Sequence, residues 1–174
     1  MAIEILGMSV EVSAAWLIWI LPFAAALIMP GIGKLSKKST GYVAVGFALM
    51  SAVSAVSLIP VALEGHEVHS QIMWIEALDI KAGVLADPLS IIMANVVGWI
   101  SFLIMIYSTG YMKGDKDITR FWFWMLFFIG SMQLIVLSDN LLQVFFGWEG
   151  VGLASYALIS FWYRDKKKDH VGVE

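Results

Sequence analysis

Five apolar runs follow one another along this chain, at about 13–31, 41–63, 88–109, 120–137 and 140–163. Each approaches or exceeds the roughly 20 residues that a helix needs to cross a bilayer. Backbone polar groups have no water to bond in hydrocarbon, so runs of this length fold as helices. Composition agrees: 60% of the 174 residues are hydrophobic and 14% charged, with a mean hydropathy of +0.82. A soluble domain carries about 45–50% apolar and about 25% charged residues. The expected fold is therefore an all-α, multi-pass protein of the cell membrane, a single membrane domain over residues 1–174. Pro22 predicts a kink in the first span and Pro30 lies near its end. Asp87-Pro88 suits an N-cap followed by proline in the first turn of the third span. Only Ser138, Asp139 and Asn140 separate the last two spans, which predicts a tight antiparallel hairpin.

The loops carry the charge. Lys34, Lys37 and Lys38 follow span one, Lys113, Lys116 and Arg120 lie between spans three and four, and Arg164, Lys166, Lys167 and Lys168 follow span five. Ten of the 11 basic residues thus occupy alternate loops, with Lys81 the exception. The positive-inside rule then places the N-terminus outside and the C-terminal tail in the cytoplasm. The first 13 residues contain Glu4 and Glu11 but no Lys or Arg, unlike a cleaved secretory signal, so the first span reads as retained. The acidic connection at 64–87 is expected outside, as a short hairpin or loop; its apolar stretch 72–85 is too short for periodicity to separate strand from helix. Trp16, Trp19, Trp74, Tyr107, Tyr111, Trp122, Trp124, Trp162 and Tyr163 cluster near span ends and read as interfacial anchors. There is no cysteine, which excludes disulfides, iron–sulfur clusters and thiolate metal sites within the chain.

Against this background one residue stands out: Glu149, inside the fifth span. It lies nine residues after Asn140, roughly 13–14 Å along the axis at about 1.5 Å per residue, close to mid-depth. An ionisable side chain at that depth costs a few kcal/mol and by default faces a protein interior or a water path. Its helical face continues through Gly152, Tyr156 and Ser160, while Gly147, Gly150, Ala154 and Ala157 form a second, small face that lets a neighbouring helix approach. Removal from water disfavours an ionised carboxyl and a nearby cation favours it; a group balanced between the two exchanges protons near neutral pH. The competing reading is a glutamate that only hydrogen-bonds between helices.

Other polar residues have simpler readings. Gln133, mid-span four beside Gly130 and Ser131, suits interhelical hydrogen bonding, with a place on a proton path as the alternative. Tyr156 and Ser160 belong to the same path-or-packing class. Asp139 and Asn140 read as caps of the fifth helix, and Asp87 as a helix start. His66, His69 and His170 fall in loops without the clustering that a metal site requires, so no metal is expected. The run Arg164–Lys168 reads as a cytoplasmic stop signal first and a lipid or partner contact second.

The segment Phe146-Gly-Trp-Glu-Gly-Val-Gly-Leu-Ala-Ser-Tyr-Ala-Leu-Ile159 closely resembles the fifth-helix signature of subunit L, the largest antiporter-like subunit of complex I and its relatives. Tyr107-Ser-Thr-Gly-Tyr-Met112, Arg120-Phe121, Ser138-Asp-Asn-Leu-Leu142 and Ala86-Asp-Pro-Leu-Ser90 fall at the family's spacing. The resemblance is strong over about 86–163 and only topological before that. Gly-Trp-Glu-Gly-Val-Gly separates this pattern from the sibling subunits M and N and from the related subunit of the cation/proton antiporters. The resemblance implies that Glu149 pairs with a lysine on a later helix as part of a proton path. No lysine lies inside these five spans, and the sequence ends at Glu174, so on this reading the lysine helix must come from outside the 174 residues.

Three functions follow as expectations. The first is a proton-translocating membrane-arm subunit, or its N-terminal fragment, of a redox-driven pump, holding no redox centre or cofactor and partnered by other membrane-arm subunits, lipid and protons, not nucleic acid. The host is an NADH:quinone oxidoreductase or the archaeal dehydrogenase that oxidises reduced coenzyme F-420 and reduces methanophenazine, with general similarity leaning slightly to the latter. The second is one component of a multi-subunit Na⁺/H⁺ antiporter. The third is a truncated, non-transporting structural subunit.

Overall fold

The computed structural model describes residues 4–5 and 8–162. Five helices in it are long and apolar enough to cross a membrane. They comprise α1 (Val10–Leu35), α2 (Lys37–Val56) continued by the short α3 (Ile59–Leu63), α4 (Pro88–Tyr111), α5 (Ile118–Leu137) and α6 (Leu141–Ile159). The fold is mostly helical rather than all-α. A two-residue pair, β1 (Glu4–Ile5) with β2 (Met8–Ser9), precedes α1. The connection after α3 is an antiparallel hairpin of β3 (Val68–Ile75) and β4 (Ile80–Ala86), with a register shift between Met73 and Ile75. A left-handed Asp79 (φ 51°) closes its turn. An isolated two-stranded hairpin is marginal in water, so this one depends on what it docks against.

Helix α1 runs unbroken through both prolines to Leu35, past the end expected near Pro30. Its continuity has a specific support. Pro22 has no N–H to give the carbonyl of Ile18, four residues earlier, and the Ser51 hydroxyl of α2 donates to that oxygen instead (2.6 Å), with both residues fully buried. Ser51→Ala is therefore expected to cost about 1–3 kcal/mol by leaving a buried carbonyl unpaired. Restoring the N–H with Pro22→Ala should cancel most of that cost, and a double-mutant cycle on thermal unfolding measures the coupling.

Small residues set the packing of the remaining helices. Ala44, Ala48, Ala52 and Ala55 are buried along one side of α2, and a Cβ on Gly98 of α4 would stand 3.2 Å from the Ala52 Cα. Such stripes allow the close backbone approach on which helix association in lipid depends. The core divides into two clusters: one around Ile18, Leu58, Val84, Ile91 and Leu137 beneath the hairpin, the other around Met29, Met105, Trp122, Leu126 and Ile129 toward the opposite end. Trp16 and Trp122 belong to these clusters, so they are core residues and not interfacial anchors. Trp122 fits over Gly41, where a Cβ would meet its ring at 3.2 Å; the Trp16 Nε1–H donates to the Ser70 hydroxyl (3.2 Å). Tyr163 and His170 lie outside the described residues.

Asp87 caps α4 as its sequence position predicts, with Oδ1 accepting from the Ser90 N–H (2.7 Å). Hydrogen bonds from the Ser90 side chain and backbone hold its carboxyl below the ordinary 3.8. The folded-state value is depressed, so this stabilisation is present above the unfolded value and lost as pH falls through the folded one. Asp87→Asn keeps a cap and should remove that pH dependence, while Asp87→Ala should cost about 1 kcal/mol; unfolding followed from neutral pH to about pH 3 checks both.

Candidate functional site

The site is the outward flank of α6, and its geometry follows from how α6 is held at each end. At the N-terminal end, Asn140 caps the helix, its Oδ1 accepting from the Gln143 N–H (2.9 Å), while its Nδ2 donates to the Lys81 carbonyl in β4 (3.0 Å). Gln143 is buried and grips the next strand residue but one: the Gly83 N–H donates to its Oε1 (3.0 Å) and its Nε2 donates to the Gly83 carbonyl (2.9 Å). Val84 and Ser138 add an antiparallel bridge, and Trp74 packs edge-on against Phe146 at 5.3 Å.

Asp139 is not a cap. Its side chain is buried beneath the hairpin, where Oδ2 accepts from Gln71 Nε2 (2.7 Å) and lies 3.4 Å from His69 Nε2. Its Oδ1 accepts from Asn140 Nδ2 (2.7 Å). A Cβ on Gly83 would collide with the Asp139 carboxylate, so the strand can come this close only as glycine. Sequence reading missed Gln143, Gly83 and His69 as a unit. A polar Gln143 just inside an apolar span was the available signal.

At the other end, Arg120 of α5 reaches across to the end of α6. Its Nη2 donates to the Phe161 carbonyl (2.6 Å), its guanidinium lies 4.7 Å from the Phe161 ring centre, and Asp117 stands 3.6 Å away. A cation at a helix C-terminus also meets the negative end of the helix dipole.

Between these two fixings, Gly147, Gly150 and Ala154 are buried against α5 and Ala157 is half-buried. A Cβ on Gly147 would come within 2.7 Å of Ile135, and one on Gly150 would overlap the Ser131 hydroxyl. With that face committed, Glu149, Gly152 and Tyr156 are exposed and Ser160 is half-buried. The same open flank carries Phe145, Trp148 and Leu153. Glu149 is therefore not enclosed by these five helices, contrary to the expectation of a buried carboxylate. The reason is local: α6 is the last described helix, and its small-residue face is already used by α5. Among the described residues Glu149 has no hydrogen-bond or ion-pair partner, and the lysines all sit at helix ends or in connections.

Gln133 faces elsewhere. It is fully buried on α5 and its Nε2 donates to the Ala94 carbonyl of α4 (3.0 Å), an interhelical bond; its Oε1 has no described partner. The structure thus groups Glu149 with Tyr156 on one open flank and sets Gln133 in the core, on a different helix interface.

A bundle of five bilayer-length helices with a mid-depth carboxylate on the unpaired flank of the last one is the architecture of a multi-pass membrane protein. Comparison with known proteins narrows the class. Residues 73–122 match the family described as NADH-ubiquinone oxidoreductase (complex I), chain 5 N-terminus, and residues 138–173 match the family described as NADH:quinone oxidoreductase/Mrp antiporter, TM. The chain belongs to the antiporter-like family of membrane-arm subunits that these two descriptions cover. It is 39% identical over 167 residues to NADH-quinone oxidoreductase subunit L of Rickettsia bellii, covering 93% of this chain and 26% of that protein. It is 39% identical over 149 residues to NADH-ubiquinone oxidoreductase chain 5 of Dictyostelium citrinum, covering 83% and 22%. The fold matches one polypeptide of the Mrp complex from Dietzia sp. DQ12-45-1b with a TM-score of 0.76 at 23% identity, over 93% of this chain and 17% of that one. The chain thus spans about a quarter of the length of the curated relatives it matches. The likeness begins well before residue 86, where the motifs alone placed its strong part. An archaeal, methanophenazine-linked host draws no support from these relatives.

Proposed function

We propose that this chain supplies the Glu149 side of an intramembrane proton path in an NADH:quinone oxidoreductase of the complex I type. Its N-terminus would lie outside and its basic loops in the cytoplasm. The observation that carries the reading is Glu149 itself: a lone carboxylate near mid-depth, on a flank that the two-ended fixing of α6 holds outward and that no described helix covers. A bare carboxylate facing lipid is costly, so the flank calls for a covering membrane segment. On the family resemblance, that segment would be a helix bearing lysine. Facing cation and carboxylate then form a coupled pair whose proton shifts with local hydration and charge. This chain holds no redox centre on this reading; electrons pass in other subunits and coupling reaches Glu149 electrostatically.

A second reading, cation/proton exchange, is favoured by the Mrp antiporter named in the matching family and by the Mrp fold likeness. Transport by the assembled complex in vesicles separates the two. Proton uptake that requires NADH and is indifferent to sodium supports the pump; sodium-dependent exchange persisting without an electron donor supports the antiporter. A purely structural role would tolerate Glu149→Leu with normal transport, since Glu149 has no hydrogen-bond or ion-pair partner among the described residues.

A further inference from the structure

At the end of the bundle opposite the β3–β4 hairpin, the last turn of α1, the first turn of α2 and the connection into α5 enclose a groove of about 770 Å³. Four cations line it, Lys34, Lys37, Lys116 and Arg120, against one carboxylate, Asp117, which stands beside Arg120. Lys37 Nζ donates to the Lys116 carbonyl (2.9 Å), which holds its ammonium over the groove with two of its three donors left to spare. Lys34 and Lys116 are exposed. Helices α2 and α5 both begin at this groove, and neither Ser36 nor Asp117 makes a side-chain capping bond. Their first-turn N–H groups add positive partial charge. The Thr119 hydroxyl, also in the lining, is buried and has no hydrogen-bond partner among the described residues. The other walls are apolar: Pro30, Gly33, Phe123 and Trp124.

We propose that this groove binds the phosphate headgroup of an anionic phospholipid. The lysines and the helix starts meet the phosphate oxygens, and the Trp124 and Phe123 rings receive the glycerol and upper acyl chains. Two features select a lipid over a free anion. The groove sits at the ends of helices long enough to cross a bilayer, where headgroups would lie, and its floor is aromatic and apolar where a soluble phosphate would need further donors. Basic pockets between membrane helices recognise anionic headgroups by this chemistry. Such a lipid would tie α1, α2 and α5 together at the end of the bundle that the hairpin does not reach.

The test is native mass spectrometry of the purified full membrane protein, delipidated in detergent and titrated with phosphatidylglycerol, phosphatidylcholine or inorganic phosphate. Phosphatidylglycerol should bind in preference to phosphatidylcholine. At about 1 kcal/mol per lysine near a lipid surface, Lys34→Gln should weaken it roughly fivefold and Lys34→Gln with Lys116→Gln roughly thirtyfold. Lys113→Gln, outside the groove, should leave it unchanged. Lys34 makes no described contact, so the single variant keeps the test sound if the double variant folds poorly. Equal binding of the two lipids, undiminished binding in the Lys34 variant, or displacement of phosphatidylglycerol by inorganic phosphate at matched concentration would each overturn the proposal.

Discussion

Replacing Glu149 by Gln in the assembled complex is expected to lower proton translocation by about two orders of magnitude, the low end of what a positioned proton donor or acceptor contributes. Assembly should be almost unchanged. Gln has the shape of Glu and remains polar, and Glu149 has no partner among the described residues whose loss would destabilise the helix bundle. What Gln cannot do is release and regain a proton. Glu149→Asp retains the titrating group on a side chain one methylene shorter and should recover part of the activity. Translocation is measured as proton uptake into proteoliposomes containing the intact complex, with subunit content checked on the same preparation. Unchanged translocation in a fully assembled Glu149→Gln complex would leave this glutamate no part in the proton path.

The second large effect is expected at Gln143→Leu. Leu fills a similar volume, yet it strips partners from both the N–H and the carbonyl of Gly83, each buried in the contact with α6. A buried backbone group left unpaired costs about 1–3 kcal/mol, so the pair together costs about 2–6 kcal/mol. Gln143 is also six residues from Glu149 on the same helix. Loosening the hairpin from α6 should therefore release the rotation that keeps Gly147 and Gly150 on α5 and Glu149 outward. Both assembly and translocation should fall, in contrast with the selective loss at Glu149. Gln143→Glu keeps the acceptor for the Gly83 N–H but sets a carboxylate against its carbonyl, and should be as harmful. Thermal unfolding of the purified protein, alongside subunit content in the membrane, measures both variants.

These two residues also show what a sequence can and cannot disclose. Hydropathy placed five helices near their observed positions because hydrocarbon imposes one length scale on every span. The three-residue connection Ser138–Asn140 prescribed the α5–α6 hairpin, and the spacing of Gly147, Gly150 and Ala154 prescribed its packing face, because both are local patterns. The grip of Gln143 on Gly83 spans 60 residues and the repair of Pro22 by Ser51 involves Ile18, 33 residues away. No periodicity encodes such pairings. Asp139 read as a cap because its type and position fit one, while the bonds that occupy it come from a hairpin that periodicity could not assign. Trp16 and Trp122 read as interfacial because aromatic residues near span ends usually are. Their burial became visible only with the neighbouring helices in place. The helical break at Ser57 and Leu58, just before Pro60, went unseen because the apolar run continues across it.

On the proposed function, Glu149 changes protonation inside the membrane. Infrared difference spectroscopy of the intact complex, oxidised against reduced, reads this directly through the carboxylic C=O stretch. A carboxyl band should appear or vanish with the redox state and be absent from the Glu149→Gln complex. The same band persisting in the Glu149→Gln complex would assign the proton to another group and contradict the account.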